Sequence, residues 1–268
     1  MSNTRVYKFV SAKNLFVHLE EYLAGKLYFA EWKTFADKEE GKYYYSDKPR
    51  NEEILRILYK EKHRCFICST AKCGTIFELW ARALLKPPAI CLGLDIDAGK
   101  EIFKWFQADG QTGQDNPFST NWEGNELNAC ETISVDIDYK PKPLELTYDK
   151  ILNDGTAKSA LRILSTKLQH YAFEEELRFI KYSGCAKAKM YPVGELKEIF
   201  IAGYCKRDCW VQALEEKVLE RNKNQNTAPI EIKYVYVDPN SEKVDVFGNI
   251  NCPMVCVLNG NTGGSHAR

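Results

Sequence analysis

Lys167-Leu-Gln-His-Tyr-Ala-Phe-Glu-Glu-Glu-Leu-Arg-Phe-Ile180 sets three consecutive carboxylates and an arginine inside a run of aromatic and aliphatic residues. From Phe173 the apolar side chains fall on Phe173, Leu177 and Phe179, while Glu174, Glu176 and Arg178 take alternate positions. A period of two predicts a strand with one apolar face and one charged face. Same-face neighbours on a strand lie roughly 6.5–7 Å apart, so Arg178 can hold Glu176 and leave Glu174 free, or the reverse. A helix would instead make Glu174 and Arg178 an i,i+4 surface pair worth a few tenths of a kcal/mol, and the charges would be a solvated face.

Working outward, the same periodicities predict strands over 6–10, 26–30, 64–70, 89–95, 132–139, 196–203, 230–237 and 243–247. Helices are predicted over 14–25, 52–62, 76–85, 102–106, 148–170 and 208–222. Asn14 reads as a cap and Gly25 as a stop for the first helix, Pro87-Pro88 ends the third, and Asn153-Asp-Gly155 interrupts the fifth. Residues 32–45 and the polar, glycine-rich 109–128 read as loops. Strands outnumber helices without a βαβ rhythm. The expected fold is α+β, a mixed, mainly antiparallel sheet with flanking helices. Residues 1–250 read as one domain and 251–268 as a small polar tail.

Composition narrows the function classes. The 268 residues are 44% hydrophobic and 12% aromatic, which is a globular balance. Thirty-seven basic and 37 acidic residues cancel, so nothing recommends nucleic acid as an obligatory partner. The opening Met-Ser-Asn-Thr-Arg-Val-Tyr lacks the apolar core of a signal peptide, and no apolar run reaches the ~20 residues that span a bilayer. The reading is a cytoplasmic protein whose ten cysteines are buried thiols.

Few motifs carry chemistry. Cys65-x-x-Cys68, with Cys73 and His63 nearby, has no second matched pair and lies in strand sequence, where positions three apart face opposite sides. No metal is expected. Four scattered histidines give no support to a nucleophile–histidine arrangement, and no glycine-rich phosphate loop is present. Tyr7, Tyr28, Trp32, Phe35, Trp80 and Tyr171 fall near element ends beside charges. Such residues cap cores, and a flat ligand uses the same residue types.

In order and spacing, several boxes resemble the prokaryotic domain-of-unknown-function family 2971. They are Tyr7-Lys8-Phe9, Gly25-Lys-Leu-Tyr-Phe29, Phe35-Ala-Asp-Lys-Glu-Glu40, Phe66-Ile-Cys-Ser69, Leu79-Trp80, Ile90-Cys-Leu-Gly-Leu-Asp95 and Lys167 followed by Tyr171-Ala-Phe-Glu-Glu-Glu-Leu-Arg178. The third box lacks the family's Asn and Pro, and Tyr171 stands where the family has Trp. The opening strand, helix, glycine turn and strand are also similar to ADP-ribosyltransferase-like folds, with Lys8 where those carry His or Arg. That resemblance implies NAD as cofactor and a toxin or defence effector acting on a protein or small-molecule target. It implies Glu176, Glu174 and Arg178 as catalytic residues, a fixed carboxylate stabilising positive charge on the ribose. It places Tyr7, Lys8, Tyr28, Trp80 and Tyr171 around the cofactor, with Tyr28 stacking on nicotinamide and Lys8 meeting a phosphate or ribose. Tyr7, Lys8, Tyr28, Trp80, Glu174, Glu176 and Arg178 all lie in the family boxes and are expected to converge on one concavity. The alternative is a non-catalytic binding module using the same cleft.

Overall fold

Strand sequence in this chain is rich in Val, Ile, Phe, Tyr and Cys, and helix sequence carries its apolar residues at three- and four-residue spacing. The computed structural model describes residues 4–35, 41–46, 52–85, 89–96, 103–106, 132–182, 189–223 and 228–248. In chain order the elements are β1 (Thr4–Ser11), α1 (Ala12–Val17), α2 (Leu19–Leu23), β2 (Lys26–Glu31), β3 (Tyr43–Tyr45), α3 (Glu52–His63), β4 (Cys65–Ala71), α4 (Phe77–Leu84) and β5 (Ala89–Ile96). There follow β6 (Phe103–Phe106), β7 (Thr132–Asp136), β8 (Asp138–Lys140), β9 (Leu144–Leu146), α5 (Tyr148–Asp154), α6 (Thr156–Leu164) and β10 (Thr166–Leu168). The chain continues with β11 (Glu176–Tyr182), β12 (Lys189–Pro192), β13 (Glu195–Ala202), α7 (Cys209–Asn222), β14 (Glu231–Asp238) and β15 (Lys243–Gly248).

One eleven-stranded sheet organises the fold, in the order β15-β14-β13-β5-β1-β4-β11-β7-β6, with β2 branching from β4 and carrying β12. Within it β13–β14 and β6–β7 run parallel and the other described pairs antiparallel. The fold is α+β with a mixed, mainly antiparallel sheet. On one face α7 buries Val211, Leu214 and Val218 and α2 buries Tyr22 and Leu23, in a core shared with Val6, Leu92 and Ile199. On the other, Ala157, Leu161 and Leu164 of α6 pack on Ile67, Ile133 and Ile180. Trp80 of α4 meets Phe9 there edge-on at 5.2 Å. α3 lies outside α6, joined through Ile54, Leu58, Ala160 and Ile163.

The sheet forks at β4. Its Ala71 pairs Tyr7 of β1, whereas its Ile67 and Phe66 pair Ala30 and Glu31 of β2. Between those contacts, the edge of β4 at Ser69 meets neither strand, and the Lys8 ammonium donates to Ser69 O at 2.7 Å. Gly25, at φ 73°, closes the turn into β2, where a Cβ would stand 1.8 Å from Gly194 O.

Local structure departs from the sequence reading in several places. Ser11, not Asn14, caps the first helix, accepting from Asn14 N, and the chain breaks at His18 into α1 and α2. Gly155, at φ 80°, separates α5 from α6, which stops at Leu164 so that β10 can pair β8. The stretch expected as a helix near 102–106 contains β6, because parallel pairing with β7 overrides a short apolar run. The expected loop after Trp32 contains β3, paired with β9. The loop at 109–128 and the tail at 251–268 lie outside the described residues.

Candidate functional site

The charged stretch that predicts one strand is two structures joined by a bend. Residues Gln169–Glu174 form a 3₁₀ turn, and Glu175 takes a left-handed conformation at φ 43° and ψ 49° before β11 begins at Glu176. A non-glycine residue in that region is held at a steric cost. The bend is fixed on both sides, Glu175 N donating to Ala172 O and Glu175 O accepting from Lys72 N. It swings Glu174 round so that it and Glu176 meet on one cation. Lys167 Nζ lies 2.5 Å from Glu174 Oε2 and 3.3 Å from Glu176 Oε2.

The result is a ladder of alternating charge running from core to surface. Arg178 donates from Nη1 to Leu164 O and from Nε and Nη2 to the two oxygens of Glu176, at 2.6 and 3.1 Å. Lys167 links Glu176 to Glu174, and Arg82 Nη1 completes the series on Glu174 at 2.9 Å. Side-chain exposure climbs from 1% at Arg178 through 4% at Glu176, 11% at Lys167 and 14% at Glu174 to 51% at Arg82. Burial alone would raise the Glu176 carboxyl. The charge and hydrogen bonds of Arg178, with Lys167 and the Ser69 hydroxyl, outweigh it and bring the group from 4.5 down to about 2. Aromatic rings sheathe the outer end. Lys167 Nζ stands 4.6 Å from the centre of the Tyr171 ring, and the Arg82 guanidinium 4.6 Å from Phe173 and 5.7 Å from Tyr171.

Glu174, Glu176, Arg178 and Tyr171 are thus brought together, along with Lys167 and Arg82. The remaining candidates go elsewhere. Lys8 and Glu176 point to opposite faces of the sheet, yet both touch Ser69, one at its carbonyl and the other at its hydroxyl. Trp80 is wholly buried and donates from Nε1 to Gly74 O at 2.7 Å. Tyr28 is 41% exposed and lies over His18, ring centres 6.3 Å apart. Tyr7 shares a face with Glu176 but donates its hydroxyl to Glu198 at 3.0 Å.

Glu198 is the centre of a second ionic cluster that sequence reasoning missed. It is buried on β13 and accepts from Arg5 Nη1, Tyr7 OH and Lys233 Nζ. Asp95 grips the rest of the Arg5 fork, at 2.6 and 3.1 Å. Burial and the Glu198 charge push the Tyr7 phenol far up, and the Asp95 hydrogen bond does the same for Arg5. Gly93 lies beneath, where a Cβ would stand 2.5 Å from Glu198 Cγ. The one signal in the sequence is a glutamate inside the apolar run Leu196-Lys-Glu-Ile-Phe-Ile201, and its partners lie up to 193 residues away.

These residues do not fit an extended dinucleotide as they stand. Trp80 is sealed under Gly74, and Tyr28, the ring expected to stack, lies over His18. The Lys8 ammonium is turned onto main chain, and the carboxylate expected to meet ribose is enclosed by Arg178, Lys167 and Ser69. For metals, Cys65 and Cys68 belong to separate cores, and no three His, Cys, Asp or Glu side chains among the described residues come together as ligands. No helix among the described residues is long and apolar enough to cross a membrane. Comparison with protein-family models, with curated proteins and with solved structures returns no match.

Proposed function

We propose that this chain is a non-catalytic binding module that docks an acidic segment of a protein target at Arg82, Tyr171 and Phe173. One observation carries the reading. Arg82 is half exposed, and among the described residues it commits a single N–H, Nη1, to Glu174, while its plane is steadied by two rings. The guanidinium is thus held at the exposed end of a ladder rooted in the core. A preorganised arginine flanked by tyrosine and phenylalanine is the residue chemistry of interface hot spots. The described cysteines are free thiols, which supports action in a reducing compartment such as the cytoplasm.

The test is titration with a synthetic glutamate-rich peptide. Binding should weaken tenfold or more in Arg82→Ala and stay unchanged in Lys60→Ala, which removes an equal charge from α3. Equal affinity of both variants would overturn the reading.

A second reading keeps membership of the resembling family and an ADP-ribosyltransferase-like, NAD-using activity. It is favoured by Glu176, a carboxylate held ionised and fixed by Arg178. Nicotinamide release from NAD by the wild-type protein, lost in Glu176→Gln, would establish it in place of the first.

A further inference from the structure

A cleft of about 610 Å³ opens between α2, the turn from β12 to β13 and the C-terminal half of α7, and neither reading above uses it. Its volume falls in the range of small-molecule sites. Gly25 and Gly194 line it where two turns meet. Gly25 O accepts there from Val193 N and Gly194 N at 3.0 and 3.3 Å, and a Cβ on Gly194 would stand 2.3 Å from Asp95 O. The α7 wall is fixed as firmly. Val211, Leu214 and Val218 seat the helix in the core, and Asn222 exchanges hydrogen bonds with the main chain of Ile230 at 2.8 and 2.9 Å. The cleft is therefore preformed. Leu23 and Leu196, 8% and 1% exposed, give it an apolar lining.

The charges around the cleft do not all cancel one another. Lys217 pairs with Glu220 at 3.2 Å, and Glu195 with Lys197 at 2.8 Å. Glu20, on the α2 wall, has no ion-pair or hydrogen-bond partner for its carboxylate among the described residues. Arg221, on the α7 wall, commits one N–H, from Nη1, to Ala228 O at 2.9 Å, and among the described residues no carboxylate meets its guanidinium. A carboxylate accepts from an ammonium, and a guanidinium donates to a carboxylate through paired N–H groups. One of each, on different walls of a cleft lined by leucine, complements a molecule with an ammonium, a carboxylate and an apolar body. We propose that the cleft binds a small apolar zwitterion, an amino acid or a short peptide with free termini, its ammonium at Glu20 and its carboxylate at Arg221.

The test is calorimetric titration of the full chain at neutral pH with L-leucine, with Leu-Leu, and with the N-acetyl and C-terminal amide forms of each. One of the two uncapped probes at least should bind saturably, and the tighter of them tells an amino acid from a peptide. Either cap removes one charged contact and should weaken binding tenfold or more. Glu20→Gln should weaken the uncapped probe and erase the penalty of acetylation, and Arg221→Gln should erase that of amidation. Glu20 is exposed, so its variant is expected to fold. If Arg221→Gln does not fold, the capped probes on the wild-type protein decide. No saturable binding of either uncapped probe, or equal binding with and without the caps, overturns the proposal.

Discussion

Glu176 and Glu198 stand at the two ends of one row of side chains that crosses the sheet. The row runs Glu198, Gly93, Tyr7, Ala71, Glu176, each residue the register partner of the next. At about 4.8 Å per strand the two carboxylates are about 19 Å apart on the same face. Each is enclosed by its own cations, Arg178 and Lys167 at one end, Arg5 and Lys233 at the other.

That separation predicts additive energetics. Glu176→Gln strands Arg178 in the core and should cost about 3–5 kcal/mol in urea unfolding. Glu198→Gln should cost less, about 1–3 kcal/mol, because Arg5 and Lys233 are 38% and 26% exposed and regain water. The double variant should equal the sum to within about 0.5 kcal/mol.

The outer rungs should matter little to folding. Arg82→Ala and Glu174→Gln are each expected to shift stability by under about 1 kcal/mol, as for partly solvated pairs. A larger loss would mean that the ladder is cooperative along its length, and the same unfolding curves decide it.

Acid stability should report Glu176. Its carboxyl sits at about 2 in the fold and near 4.5 when free, a depressed value. The stabilisation is therefore fully present above pH about 4.5 and is lost as pH falls through about 2. Glu176→Gln should flatten the pH dependence of unfolding in that window while lowering stability at neutral pH.

How much of this the sequence carries depends on the range of the contact. Elements β2, β4, β5, α3 and α7 follow from local periodicity, and the structure has them within two residues of the expected bounds. The shared face of Glu176 and Arg178 is equally readable, since i,i+2 on a strand is a local relation, but the sequence leaves open whether Arg178 holds Glu176 or Glu174, and the structure selects Glu176. The path of Glu174 is not readable, because it depends on the left-handed Glu175, a conformation held by contacts with Ala172 and Lys72. The sequence of β6 predicts a helix because a short apolar run has no period of its own until a neighbouring strand selects one. Glu198 shows in the sequence only as a glutamate in an apolar run, because Arg5, Tyr7 and Lys233 reach it only through sheet register.

Gly93 should be intolerant of a methyl group. A Cβ there would stand 2.5 Å from Glu198 Cγ and 3.1 Å from Tyr7 Cε1. Gly93→Ala is expected to cost about 1–3 kcal/mol through overpacking, with a lower melting temperature as the readout.

Thiol chemistry should divide the described cysteines by position. Burial pushes the Cys65, Cys68 and Cys91 thiols up, whereas Cys209 is exposed and Cys73 half-buried. With a disulfide reagent under native conditions, Cys209→Ser and Cys73→Ser should each remove one fast equivalent, and Cys65→Ser none. Loss of a fast equivalent in Cys65→Ser would contradict the packing of β4.

The fork in β4 creates a strand edge within the sheet rather than at its rim. An open edge invites a further strand, and proteins guard such edges with lysine. Lys8 does so from inside, its ammonium seated on Ser69 O where a neighbouring strand would otherwise bond. Replacing Lys8 with methionine would keep the length of the side chain and unlatch the carbonyl. The gap between β1 and β2 would then be a socket for an extended segment of a second copy, and the variant's failure would be seen as concentration-dependent strand exchange rather than as simple unfolding.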